Sequence, residues 1–299
     1  MDKCDETAKD RIPRVDAYGF ERPDGFDYAA YEEFYSQYLT ILTRRAMKWS
    51  KMMQKSSAVE KSMKVKRYIR KGIPNEHRCY VWMIVSGAQA QMEQNPGYYH
   101  SVLQEGQKNA KLVDAVVTDG MNFITGILIL VAKEEEKAFW LLDALVGHIL
   151  PDYYSPTMMG LKTDQEVLGD LVKMKIPAVA ELIDRHGLMW TLLVSRWFIC
   201  LFIDILPVET VLRIWDCLFY EGSKVLFRVA LTLIKHYQSY ILEAKNFPDV
   251  CDKFKDITKG PLVTECHLFM QKIFTEPGSL SRNTIFKLRE HHAQLLTQE

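Results

Sequence analysis

Net charge is the first thing this sequence lacks. Thirty-eight basic residues balance 38 acidic ones over 299 positions, so no global field draws nucleic acid or acidic substrates, and an electrostatic partner must be served locally. Paired cysteines are missing too. Cys4, Cys79, Cys200, Cys217, Cys251 and Cys266 are scattered, with no CxxC pair and no zinc-ligand spacing, which reads as thiols in a reducing compartment. No GxxxxGK[ST], GxGxxG after a strand, HExxH or GxSxG occurs. The chain is therefore not read as a nucleotide-binding or hydrolytic enzyme in its own right, and no cofactor or metal is expected. The opening MDKCDETAKDRIPRVD has no apolar segment of a signal peptide, and no glycosylation sequon follows; a cytoplasmic protein is expected. Long apolar runs reduce to one, Leu188 to Leu206, which approaches the ~20 residues of a bilayer span. Arg196 and Asp204 interrupt it, and a buried helix with a break is the reading.

Strand-type alternation is also lacking, apart from the short run Leu128 to Val131. What is present repeats one grammar. From Phe26 to about Gln54 the apolar residues Tyr31, Phe34, Tyr35, Tyr38, Leu39, Leu42, Ala46 and Trp49 fall mainly three or four apart, one stripe of a long amphipathic helix. Pro74, Pro177 and Pro207 stand where helices begin, Glu134 to Glu136 place acids at a helix start, and Gly222 can stop a helix. The expected fold class is all-α. Its divisions are an N-terminal arm with the long helix and a basic linker (1–67), a helical domain (68–274) and a C-terminal helix (275–299).

Two local features stand out. Between Arg44 and Lys71 there are eleven Lys or Arg and one acid, Glu60. A solvated face plus linker accounts for such a block, and contact with an anionic membrane surface, at ~1 kcal/mol per basic residue, is the alternative. Arginine and tryptophan also recur together: Arg78 with Trp82, Arg196 with Trp197, and Arg213 with Trp215 and Asp216. Each pair reads as an arginine stacked on an indole, with Asp216 pairing an arginine.

Taken in order, the stretches RKGIPNEHRCYVWMIVSGA, GMNFITGILIL, FWLLDALVGHILPDYYSPTMMGLKTDQEVLGDLV and SRWFICLFIDILPVETVLRIWDCLFYEG resemble the TBC domain, the helical module that activates Rab-family small GTPases. The resemblance runs from about Tyr68 to Phe274. It implies a Rab partner, vesicle trafficking as the setting, and catalysis by two inserted side chains. An arginine from an I-x-x-D-x-x-R motif neutralises the phosphoryl transition state, and a glutamine from a Y-x-Q-G-M-N motif orients the attacking water. In a related GTPase an arginine supplied in trans contributes ~10³ to 10⁵ in rate.

Neither finger is where the resemblance places it. VVTD, Val116 to Asp119, matches the first half of the arginine motif, and Asn122 stands where the arginine is due. GMNF, Gly120 to Phe123, matches the tail of the glutamine motif; Asp119 stands at the glutamine and Val117 at the tyrosine. Two half-motifs are fused, as if a few dozen residues of loop and helix had been excised at Asp119/Gly120. No catalytic residue is expected in this chain. Arg78, Trp82, Arg196, Trp197, Arg213, Trp215 and Asp216 are candidates for scaffold or for a Rab-facing surface. Three outcomes stay open: GTPase activation as the family implies, Rab binding without activation, and a chain too depleted of helices to be stable.

Overall fold

The computed structural model describes residues 26–55, 59–108 and 120–298, and among them every regular element is a helix. The charged arm before Phe26 and the Val116 to Asp119 half-motif lie outside the described residues. In chain order the helices are α1 (Tyr28–Lys55), α2 (Met63–Lys71), α3 (Asn75–Ser86), α4 (Ala88–Gln94), α5 (Tyr98–Lys108), α6 (Met121–Ala132) and α7 (Glu135–Asp143), which a π-helical turn, Ala144–Ile149, prolongs. Then come α8 (Met159–Lys175), α9 (Pro177–Arg185), α10 (Trp190–Ile199), α11 (Val208–Glu221), α12 (Lys224–His236), α13 (Gln238–Leu242), α14 (Phe247–Asp256), α15 (Pro261–Thr264), α16 (Cys266–Thr275) and α17 (Arg282–Gln298).

The helix ends follow local chemistry. Ser62 caps α2 by accepting the Val65 amide at 3.2 Å, Pro74 and Pro207 precede α3 and α11, and Pro177 opens α9, where its missing N–H costs no hydrogen bond. Gly222 closes α11 at φ 82°, its amide bonded to the Leu218 carbonyl. The strand-like run Leu128 to Val131 lies inside α6.

Helix α11 is the axis of the molecule. Twelve of its fourteen residues are buried, and α2, α3, α12 and α16 pack around it. A helix covered on all sides must find partners for every polar group it carries. Thr210 donates to the Val263 carbonyl at 2.7 Å, and Glu221 takes both Nε and Nη2 of Arg70 at 2.6 and 2.8 Å, with Lys66 at 3.1 Å. Helix α1 joins this core through Trp49, whose indole donates to the Gly72 carbonyl at 3.0 Å. At the other end of the chain, α17 lies on α8 and Arg289 grips Asp164 with two bonds of 2.7 Å.

Glu221 offers a test of this packing. Burial alone would raise its carboxyl, but the hydrogen bonds and charge of Arg70, then those of Lys66, outweigh burial and hold it below its ordinary 4.5. Its stabilisation is therefore present above the unfolded-state value and is lost as pH falls through the folded one. Glu221→Gln is expected to cost about 1.5 to 3 kcal/mol at pH 7. In urea melts the gap to the parent should close as pH drops below about 4.5; a gap unchanged down to about pH 3 contradicts the assignment.

The apolar run Leu188 to Leu206 divides as its charges suggest. Helix α10 stops at Ile199, and a turn follows in which Leu201, Phe202 and Asp204 all have left-handed backbones, φ 48°, 66° and 59°. Among the described residues no helix is long and apolar enough to cross a membrane.

Candidate functional site

Gly120 opens the third described stretch and sits at the N-cap of α6 with φ 97°. It is pressed against the end of α10: a Cβ added there would lie 3.1 Å from the Ile199 carbonyl oxygen. That same oxygen accepts the Tyr154 hydroxyl at 2.7 Å, and burial pushes the phenol well above its ordinary range, keeping it a donor. Two residues further on, the Leu201 carbonyl accepts the Trp215 indole at 3.1 Å. The left-handed turn after α10 is thus tied to the core on one side and supports the start of α6 on the other.

From this base α6 presents Asn122 and Phe123 to solvent, Phe123 at 51% exposure, followed by Ile129 and Leu130. Positions 123 and 130, like 122 and 129, are seven apart and share a helix face, so a half-apolar strip runs up the helix from Gly120. Gly120→Ala combines a left-handed alanine with a close approach to backbone and is expected to cost about 1 to 3 kcal/mol. Thermal or urea unfolding of that variant checks it, and a variant as stable as the parent would show that Gly120 is not held against Ile199.

The seven scaffold or surface candidates separate into distinct places. Arg78 and Trp82, one turn apart on α3, meet on a single oxygen of Asp216 at 3.0 and 2.9 Å. The other oxygen of Asp216 accepts the Ile73 amide at 3.0 Å, and Arg78 also bonds the Ile73 carbonyl and Asn75. Trp82 packs on Trp215 and Phe219 with ring centres 6.1 and 4.7 Å apart. The expectation of an arginine stacked on its neighbouring tryptophan needs correcting for all three pairs: Arg78 and Trp82 share an acceptor rather than stack, and the other two diverge. Residues one or two apart on a helix do not share a face. Arg213 accordingly turns to the Tyr38 hydroxyl and the Arg70 carbonyl while Trp215 faces Leu201. Trp197 is buried against Phe254, whereas Arg196 is out in solvent with Asp204 at 3.2 Å, an ion pair of little energetic weight.

Six of the seven candidates are therefore core, and Arg196 alone is on the surface, on the helix whose end meets Gly120. Of the two finger positions, Asn122 is exposed on the first turn of α6 and Asp119 falls outside the described residues. Tyr154, the residue that fixes the Ile199 carbonyl, passes unnoticed in the sequence because PDYYSP reads only as a loop.

The Rab-GTPase-TBC domain profile matches residues 116–242, from before Asp119 and Gly120 through the core helix. A growth hormone-regulated TBC protein 1 from Xenopus laevis is 65% identical, with 100% of this chain and 99% of that one aligned. The chain belongs to the TBC family. Its fold agrees: the crystal structure of the Chlamydomonas flagellar RabGAP TBC domain superposes with a TM-score of 0.72 at 27% identity, covering 89% of this chain and 100% of that one. Against the Xenopus TBC protein 340 aligned positions face 299 residues, a difference of 41. Against growth hormone-regulated TBC protein 1 of Rattus norvegicus, 61% identical with 95% of this chain and 94% of that one covered, the alignment has 285 positions for about 284 residues of this chain, which leaves almost no gap on this chain's side.

Proposed function

We propose that this chain is a Rab-binding TBC protein that does not accelerate GTP hydrolysis, because the segment bearing both fingers is absent between Asp119 and Gly120. The observation that carries this reading is Asn122, a short neutral side chain exposed at the position where the family's arginine is due. It cannot reach another protein's phosphates or neutralise them as a guanidinium does. The 41 surplus positions of the Xenopus alignment support an excision of that size, and the uncovered strip Phe123, Ile129 and Leu130 supports a loss of packing partners at this place. The rat alignment, with almost no gap on this chain's side, supports a shorter form that recurs, as an alternative transcript would.

The Rab would be engaged by the surface that carries α6 and the end of α10, where Asn122, Phe123 and Arg196 are all exposed. Such a protein would act in the cytoplasm and at vesicle membranes, holding a Rab or competing with a longer form for it. The test is a panel of Rabs loaded with GTP or GDP. Binding of at least one GTP form is expected, with single-turnover hydrolysis at the Rab's own rate. Strong acceleration by this chain would refute the reading.

A further inference from the structure

The basic block of the sequence folds into something more specific than a charged face. Arg44 and Lys48 on α1, and Arg67 and Lys71 on α2, are each four residues apart and exposed, so two helices offer one pair each around a cavity of about 710 Å³. That volume is within the roughly 300 to 1,000 Å³ of small-molecule sites. Like charges one turn apart weaken a helix, and no described carboxylate pairs with any of the four.

The cavity wall is more telling than its rim. Arg45 and Arg213 line it, 7% and 2% exposed, and their guanidiniums share one neutral acceptor, the Tyr38 hydroxyl, at 2.9 and 3.2 Å. Gly72 lets them come together: a Cβ there would be 2.6 Å from Arg213 Nε and 2.9 Å from Arg45 Nη1. Arg45 Nη2 bonds Nδ1 of His267 at 2.9 Å, while Arg213 Nε, fully buried, has no hydrogen-bond partner. The nearest carboxylate in the sequence of α11, Asp216, is committed to Ile73, Arg78 and Trp82. Burial, and after it the charge of Arg213, push Arg45 below the usual arginine range, and burial followed by Arg45 pushes His267 down and keeps it neutral. Among the described residues neither buried guanidinium has a carboxylate in hydrogen-bond contact, although the charge of Asp216 reaches Arg213, and four exposed cations ring them, an excess of positive charge in one place.

We propose that this cavity between α1, α2 and α16 binds a small anion bearing several phosphates, of the inositol polyphosphate class, either free or as a lipid headgroup. Seven cations line the cavity, and with Arg70 held by Glu221 the remaining six exceed what a single carboxylate or phosphate neutralises. None of the residues lining it belongs to α6 or to the turn after α10, so the site would be occupied independently of a Rab.

The experiment is calorimetric titration of the full chain with inositol 1,4,5-trisphosphate, paired with sedimentation on phosphatidylcholine vesicles. One vesicle set carries phosphatidylinositol 4,5-bisphosphate, and the other is matched in total charge with phosphatidylserine. Lys48→Glu on α1 together with Arg67→Glu on α2 forms the rim variant. Lys51→Glu with Lys64→Glu makes the same charge change on the same two helices outside the cavity. The rim variant should lose affinity at least about tenfold while the control changes far less, since charge at contact outweighs charge at a screened distance. Arg44→Gln with Lys71→Gln should weaken binding without introducing acids, and equal urea midpoints show that each variant is folded. Binding to bisphosphate vesicles that the soluble trisphosphate displaces assigns a lipid headgroup; binding of the soluble compound alone assigns a free ligand. Equal binding to both vesicle types, with rim and control variants weakened alike, overturns the proposal in favour of a diffuse basic surface. No binding to any of the three probes overturns it as well.

Discussion

Inserting the segment of the longer Xenopus relative between Asp119 and Gly120 is expected to raise single-turnover GTP hydrolysis by a bound Rab ~10³- to 10⁵-fold over the present chain. In barrier terms that is ~4 to 7 kcal/mol. The size of the effect comes from where charge develops. A guanidinium placed against the transferring phosphoryl group is preorganised in a site from which water is excluded, whereas Asn122 has neither the charge nor the length. Asp119 at the glutamine position would add negative charge beside an already anionic transition state. The control is the same insertion with its arginine changed to alanine, which should return the rate to that of the Rab alone. If the insertion leaves hydrolysis unchanged while Rab binding persists, the missing segment is not what limits activation. If the unmodified chain already accelerates hydrolysis, the finger argument fails.

Asp216→Ala should be the most damaging single substitution for stability, at about 3 to 5 kcal/mol, because it strands a buried arginine charge. Asp216 is completely buried and accepts from the Ile73 amide, Arg78 Nε and the Trp82 indole. Its removal leaves all three donors inside the core with no nearby solvent to replace it. Trp82→Phe keeps the packing on Phe219 and removes one donor together with its bond, so it should cost about 0.5 to 1.5 kcal/mol. Urea midpoints at constant slope give both numbers. A loss for Asp216→Ala no larger than that for Trp82→Phe would mean that Arg78 escapes to water, and the carboxylate would not be the hub that joins α3 to α11.

The contrast between these sites shows what a sequence of this kind exposes. Helix class and several helix starts are legible, since Pro74, Pro177 and Pro207 act on their own backbone and the apolar stripe of α1 has the helical period. Asp216 pairing with an arginine is legible as well, but not that the arginine is Arg78, 138 residues away. The left-handed turn at Leu201 and Phe202 leaves no local mark: leucine and phenylalanine avoid that conformation alone, and the Trp215 indole bonded to the Leu201 carbonyl holds it. Likewise the excess of basic residues from Arg44 to Lys71 can be counted in the sequence, while its meeting with Arg213 across a cavity depends on how α1, α2 and α11 come together. The candidate site is visible chiefly as a departure from two motifs at Asp119 and Asn122, because a motif records residue order.

Gly72 has a consequence for inheritance. Every amino acid reachable from a glycine codon by one base change carries a Cβ, and at this position a Cβ meets Arg213 Nε at 2.6 Å on a backbone with φ 109°. Each missense neighbour of that codon puts a Cβ against the pair of arginines on a backbone that L residues rarely adopt, and an arginine allele would crowd a third cation against them. A variant at Gly72 would be read as damaging although it removes no side chain at all.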